Sequence, residues 1–447
     1  MNMAEDLLGL ANRLISLAHR VGAEEAEVFG VTSRSLNVDL RKDVVEMACE
    51  SYNRGLGLRA VVNGAVGFSS TSDLSKLEIV AESAAKAARA RGKDETWSSL
   101  PLCEKLTLPK DVFDSVIDNI SPEECLDKSS EMLDGCASVS GVEPSSGGIF
   151  CASISELIVN SQGIEFEESS TFMHASLDAV ARDKGVASTG YEFESSRNFR
   201  ANFGEIGLSA AQLAKRSLGG VKGETGVAEV LLMPMAFSEL LDYSFVPSIC
   251  ADNVQKGRSS LAGKLSEGIA DEKLSLIDNG LLKGGMASSS FDGEGVPSQR
   301  TSVIEDGVLK GFLYDSYTAG KDMENGLIKS TGNAMRAGYV TVPRVGISNL
   351  ILASSDTSDL LADTRSGVLV NGVIGAHTAN PISGDFSVEA KNVFRVVDGE
   401  IEKPLRSLML AGNIFDLLKH LHVGIDSRAV GSIVTPTIKV EMKVIGG

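Results

Sequence analysis

Leu7, Leu8, Ala11, Leu14, Ile15 and Ala18 recur at helical spacing behind Glu5 and Asp6. The first twenty residues therefore read as an amphipathic helix packed on a domain, with none of the basic start and unbroken apolar stretch of a secretory signal. From Ala26 to Phe68 the pattern changes to a strand meander, with Asn63-Gly64 as a hairpin signal between apolar segments. Leu74 to Ala90 returns to helical spacing. A second helix is predicted from Pro122 to Cys136, with Ser121 as its cap and Pro122 at its first position. Strands follow from Gly148 to about Ala181, where Ile164 and Phe166 alternate with Glu165 and Glu167. A helix from Ile206 to Leu218 closes this half.

The stretch from Gly219 to Gly226 holds four glycines and marks a domain boundary. Beyond it the chain is richer in strands. Asp306-Gly307 and Asp398-Gly399 signal two more hairpins. In the last strand Ile438, Val440, Met442 and Val444 face one way and Lys439, Glu441 and Lys443 the other. Ile414, Leu417, Leu418 and Leu421 mark one helix before it. The pattern predicts an α+β protein of two domains, residues 1–220 and 227–447, both built on largely antiparallel sheets with flanking helices.

Composition narrows the function classes. With 447 residues, 43% of them hydrophobic, the chain has ample material for two cores. A net charge of -18 with no basic concentration argues against a polyanionic partner such as nucleic acid. No apolar run approaches the ~20 residues of a membrane helix. The six cysteines show no metal-ligand spacing and read as free thiols of a reducing cytoplasm.

Candidate chemistry is sparse. His420 and His422 invite a metal, but two positions apart on a helix they point in nearly opposite directions, and a helix-end histidine is the ordinary alternative. His377, Asp385 and Ser387 contain the elements of a nucleophilic triad without a Gly-x-Ser-x-Gly elbow. The run from Gly257 to Lys264 misses phosphate-loop spacing. Phe291-Asp292-Gly293-Glu294-Gly295 could bind a cation, but its spacing matches no calcium loop and a glycine-shaped turn is the better reading.

The order of motifs in the second half says more. Phe291-Asp292-Gly293-Glu294-Gly295-Val296-Pro297 is followed by Val303 to Gly311, Thr331-Gly332-Asn333, Ser383-Gly384-Asp385-Phe386-Ser387 and Ala411-Gly412-Asn413. This ordered series resembles the TldD/PmbA family, over Ala228 to Gly447 above all, while the first half is similar in helix and strand order. The resemblance implies a role in cytoplasmic proteolysis of unfolded peptides and small proteins.

In the TldD type, His-Glu-x-x-x-His follows a strand and opens a helix, so that two histidines hold zinc and the glutamate activates water. The corresponding stretch here is Leu231 to Ser238, with Met233 and Ser238 at the histidine positions and Pro234 at the glutamate. Thioether and hydroxyl are poor zinc ligands, and proline accepts no proton. The TldD type also uses a cysteine near its C-terminus, where this chain has Gly424-Ile425-Asp426. The pattern resembles the TldE/PmbA type, which implies a noncatalytic subunit of a heterodimer whose TldD-type partner holds the zinc; a homodimer also stays open.

By the same resemblance, Asp292, Glu294, Asn333, His377, Asn380, Asp385 and Ser387 become candidates for cavity or peptide contacts, each equally explained by turn chemistry at sheet ends. Two other readings stand beside this one. One is an independent hydrolase with its site around His377 or His420, and the other a homodimeric peptide-binding or regulatory protein.

Overall fold

A computed structural model describes residues 7–322 and 328–447; Glu5 and Asp6, placed above at the helix start, lie outside the described residues. Helix α1 (Leu7–Arg20) turns Leu7, Ala11, Leu14, Leu17 and Ala18 inward. It leads into β1 (Glu25–Arg41), β2 (Val44–Val62) and β3 (Ala65–Thr71), then α2 (Leu77–Arg91). After a short helix α3 (Ser115–Asn119) the pattern repeats: α4 (Pro122–Ala137), β4 (Val142–Asn160), β5 (Glu165–Asp183), β6 (Val186–Ser196) and α5 (Phe203–Arg216). Ser121 and Glu124 form a reciprocal capping box that fixes the start of α4.

The two αβββα units share one antiparallel sheet of order β3-β2-β1-β4-β5-β6, so that β1 and β4 pair along its centre. Two glycines show how alike they are. A Cβ on Gly67 in β3 would lie 2.0 Å from the Ala84 carbonyl oxygen and 2.4 Å from the Ala88 nitrogen. On Gly190 in β6 it would lie 2.1 Å from the Ala210 oxygen and 2.4 Å from the Ala214 nitrogen. In each unit a strand glycine faces two alanines one helical turn apart, and the helix backbone settles directly on the sheet. Separate apolar cores fill the two units, one around Leu14, Leu58 and Ala84 and one around Met132, Leu177 and Ala211.

The three hairpin signals all form two-residue turns with positive φ at both positions: Asn63 51° and Gly64 70°, Asp306 49° and Gly307 75°, Asp398 46° and Gly399 80°. That is the backbone twist a tight hairpin requires. Lys184-Gly185 makes a fourth such turn, between β5 and β6.

In the second half, the strand Gly226–Leu232 lies between Ile438–Gly446, antiparallel, and Ser366–Ile374, parallel. Ser366–Ile374 pairs with Asp385–Val397, which pairs with Leu408–Asn413. That strand pairs back to Ile438–Gly446 and closes a barrel of five strands. A six-stranded sheet containing Leu274–Asn279, Arg300–Glu305 and Leu350–Ser354 packs beside it over one large core. In the last strand Ile438, Val440, Met442 and Val444 are buried as expected, and Lys439 is buried as well, because this strand lies inside the sheet. Within the glycine-rich run, Val221–Lys222 pairs with Leu405–Arg406. The fold is α+β, with mostly antiparallel strands. Among the described residues no helix is long and apolar enough to cross a membrane.

Valine at position 190 would drive its side chain into the α5 backbone. Gly190→Val is expected to lower stability by about 1–3 kcal/mol, and Gly67→Val by a similar amount in the other unit. Urea denaturation of the full chain measures both; a neutral effect at either site would contradict the direct helix-on-sheet contact.

Candidate functional site

The barrel strand Gly226–Leu232 ends at one mouth of the barrel, and the helix Pro234–Leu240 starts at once. Met233 joins them in extended conformation, donating its N–H to the Val370 carbonyl at 2.9 Å and accepting from the Phe237 N–H at 3.1 Å. Pro234 at the first helical position costs no hydrogen bond there. The Met233 sulfur lies 3.6 Å from the Thr437 hydroxyl, which donates to Asp426 Oδ2 at 2.6 Å. The Thr437 N–H also reaches Asp426 Oδ1 at 3.2 Å. The Ser238 hydroxyl is buried and has no hydrogen-bond partner among the described residues.

Met233 and Asp426, 193 positions apart in the chain, thus meet through Thr437 at one strand end. Their donor set does not fit zinc: one thioether, and one carboxylate already engaged by Thr437. Among the described residues no three His, Cys, Asp or Glu side chains converge in a metal-binding group.

At the same end of the barrel, where the neighbouring parallel strand Ser366–Ile374 runs out and Asp385–Val397 begins, lie four more candidates, all exposed. Asp385 accepts from Asn413 Nδ2 at 2.8 Å and from the Ser383 hydroxyl at 2.7 Å. Those bonds, Asn413 first, hold its carboxyl below the ordinary range. Asn380 Oδ1 accepts from the Ile382 and Ser383 N–H groups, an Asx turn. Ser387 lies on the strand opposite Ala411, and the His377 ring meets Tyr243 edge-on at 6.3 Å between centroids. Among the described residues the Asp385 carboxylate bonds Asn413 and Ser383 and makes no hydrogen bond to His377. His420 ends the helix Ile414–His420, and His422 opens the strand His422–Gly424.

A third cluster lies between the halves, on the face of the six-stranded N-terminal sheet away from its helices. Glu27 and Arg59 stand directly opposite each other on β1 and β2. Arg59 donates Nε and Nη2 to the two Glu27 oxygens at 3.0 and 2.6 Å. Its Nη1 reaches Glu294 Oε1, from the second half, at 2.7 Å. Glu294 Oε2 accepts from the Ser316 N–H at 2.8 Å. Arg336 bonds Glu27 and donates to the Gly293 and Thr341 carbonyls at 2.6 and 2.9 Å. Every member is buried.

Asp292 shapes the loop that delivers Glu294, accepting from the N–H groups of Glu294, Val296 and Ala334. Burial, and then the Glu294 charge, push the Asp292 carboxyl up against the pull of those donors. Burial also works against Glu294, but Arg59 and Ser316 outweigh it and hold that carboxyl below the ordinary range. Asn333 lies behind the loop, fully buried, donating to Asp278 Oδ2 at 2.7 Å and to the Gly346 carbonyl at 3.0 Å.

Residues 225–447 match the PmbA/TldA metallopeptidase C-terminal domain, 26–88 its domain 1 and 116–218 its central domain. The chain is 32% identical over 433 residues to an uncharacterized protein of Methanocaldococcus jannaschii, covering 97% of this chain and 99% of that one. It is 29% identical over 439 residues to a metalloprotease of Methanothermobacter thermautotrophicus, covering 96% and 93%. The structure of TldE from Thermococcus kodakarensis superimposes with a TM-score of 0.91 at 24% identity, covering 98% of this chain and all of that one. The chain belongs to the PmbA/TldD metallopeptidase family.

The first two matched regions of this PmbA/TldD chain divide where the two αβββα units divide. The candidates from the second half fall in separate places: Asp292, Glu294 and Asn333 in the buried joint, and exposed at the barrel end, His377 and Asn380 before the strand Asp385–Val397 and Asp385 and Ser387 at its start. Glu27, Arg59 and Arg336, which complete the joint, carried no motif.

Removing one charge of a buried, hydrogen-bonded set leaves the others uncompensated. Arg59→Met is expected to cost about 3–5 kcal/mol of stability. Arg59→Lys should lose less, since it keeps the charge but not the fork that spans Glu27 and Glu294. Urea denaturation checks the order; a loss below about 1 kcal/mol for Arg59→Met would mean that water reaches the cluster.

Proposed function

We propose that this chain is the noncatalytic subunit of a zinc metallopeptidase, paired in the cytoplasm with a TldD-type chain that holds the metal. The substrates are unfolded peptides and small proteins, confined between the two subunits. The observation that supports this reading is the strand–helix junction, where Met233, Pro234 and Ser238, which the family resemblance aligns with the TldD-type zinc motif, offer no zinc-ligand set and Asp426 is tied to Thr437. Likeness in fold to a TldE points the same way.

A second feature supports a partner. Strand β2 pairs with β3 only from Leu56 onward, so its first half, Val44 to Arg54, has β1 on one side and no described strand on the other. Val44 is 57% exposed and Tyr52 61%, with Val45 and Met47 beside them. Long unpaired edges bearing apolar side chains are covered in stable assemblies.

Co-expression with a TldD-type chain should give one complex by size-exclusion chromatography. Peptidase activity on unfolded peptides should appear with the pair and vanish with chelator, and this chain purified alone should hold well under one zinc. Full activity of the TldD-type chain alone, with no complex at micromolar concentration, would overturn the proposal. Tight peptide binding by a homodimer without turnover would then favour a binding protein.

A further inference from the structure

Between the N-terminal sheet and the second half lies a cavity of about 310 Å³ whose walls include Glu156, Glu168, Arg197, Phe172, Phe291 and Met286. Its size places it at the lower end of small-ligand sites. Glu156 and Glu168 stand directly opposite each other on β4 and β5, so their side chains share the sheet face that looks into the void. They are treated very differently. Glu168 Oε2 accepts from the Ser289 hydroxyl at 2.7 Å, the Ser290 N–H at 2.7 Å and the Ser290 hydroxyl at 2.8 Å, and is thereby fixed to the second half.

Glu156 makes no hydrogen bond or ion pair among the described residues. It stands on the same sheet face as Ile154 and Ile158, which pack into the apolar interface. Burial, and then the charge of Glu168, raise its carboxyl above the ordinary range. Neither arginine in the wall is aimed at it. Arg197 donates to the carbonyls of Thr171, Gly285, Met286 and Ser288, and Arg336 to Glu27 and two carbonyls. Glu156 is partly buried and opens onto the cavity, and a carboxylate so placed with no protein donor gains from a ligand that supplies both charge and hydrogen bonds.

We propose that this cavity binds a primary ammonium group, on a lysine side chain or at a peptide amino terminus, with Glu156 as its counter-ion. An ammonium carries three donors on a compact head. One serves Glu156. The hydroxyls of Ser170 and Ser298, which line the same cavity and make no hydrogen bond among the described residues, are acceptors for the others. The aromatic walls suit the carbon stem and the positive charge. A divalent metal fits less well, since among the described residues no three ligating side chains converge. Glu156, Ser170 and Ser298 all belong to this chain. Failure of this site would leave the proposed pairing untouched.

Isothermal titration calorimetry of the full chain at neutral pH tests the proposal with three probes. N-acetyl-lysine amide carries only a side-chain ammonium, alanine amide only an α-ammonium, and N-acetyl-norleucine amide neither. At least one ammonium probe should bind about tenfold or more tighter than the neutral isostere, and whichever binds identifies the source of the charge. Glu156→Gln should weaken that binding about tenfold or more while leaving the thermal midpoint unchanged or higher, because it removes a charge that no protein group pairs with. Equal binding of the neutral probe, unchanged affinity in Glu156→Gln, or no binding of either ammonium at about 10 mM would overturn the proposal.

Discussion

Four charges shielded from water, on Glu27, Arg59, Glu294 and Arg336, fix how the two halves of this chain meet. Taking such groups out of water costs several kcal/mol each, so the arrangement stands only while every charge keeps its partners. Two positive and two negative side chains balance, and the guanidinium forks are engaged by carboxylates and by carbonyls of the facing loop. Apolar contact alone allows sliding; this cluster does not. Phe29, Ile158 and Ile164 pack against Phe291 and Tyr339 in the one position where Arg59 reaches both Glu27 and Glu294. Gly57 belongs to the same constraint: a Cβ there would lie 2.0 Å from the Tyr339 carbonyl oxygen, so the loop rests on bare strand.

Around that joint the two αβββα units have diverged in use while keeping one backbone plan. The first unit presents the ion cluster on its free sheet face, and the second presents the cavity with Glu156 and Glu168. Their outer edges differ too. β6 is held by the second half, through Arg428 to Glu192 and to the Phe193 carbonyl and through Asn392 to the Thr189 carbonyl. The first half of β2 has no such cover. A pseudo-symmetric sheet thus becomes polar in the functional sense, with one end anchored within the chain and the other left free.

Much of the fold was legible in the sequence because its signals are local. Asn63-Gly64, Asp306-Gly307 and Asp398-Gly399 specify hairpins by their own backbone preferences, and Ser121 with Glu124 caps α4 without help from elsewhere. The joint was not legible, for a reason that can be located. Counting back from the Arg41–Val44 pair at the first hairpin would set Glu27 opposite Leu58, on the wrong face. A register shift between Asp39 and Leu40 moves the pairing by one and brings Glu27 opposite Arg59. Nothing in the residue types of that strand announces the bulge. Glu294 was singled out by its glycine-shaped loop, but its partner Arg59 lies 235 positions away, beyond any periodicity.

The junction at Met233 is set by the backbone rather than by its side chains. As a helix cap, methionine supplies no acceptor for the first-turn N–H groups, which costs about 1 kcal/mol against serine or aspartate. One turn on, the orphaned Ser238 hydroxyl adds about 1–3 kcal/mol. A helix start shaped for stability alone would carry neither. Yet the backbone still brings positions 233 and 426 into one contact network through Thr437. The strand end, the immediate helix start and the returning C-terminal strands set that convergence, and none of them depends on which side chains stand at positions 233, 234 and 238. The barrel, the buried joint and the exposed β2 edge rest on contacts made elsewhere in the chain, so the scaffold tolerates any chemistry at this junction.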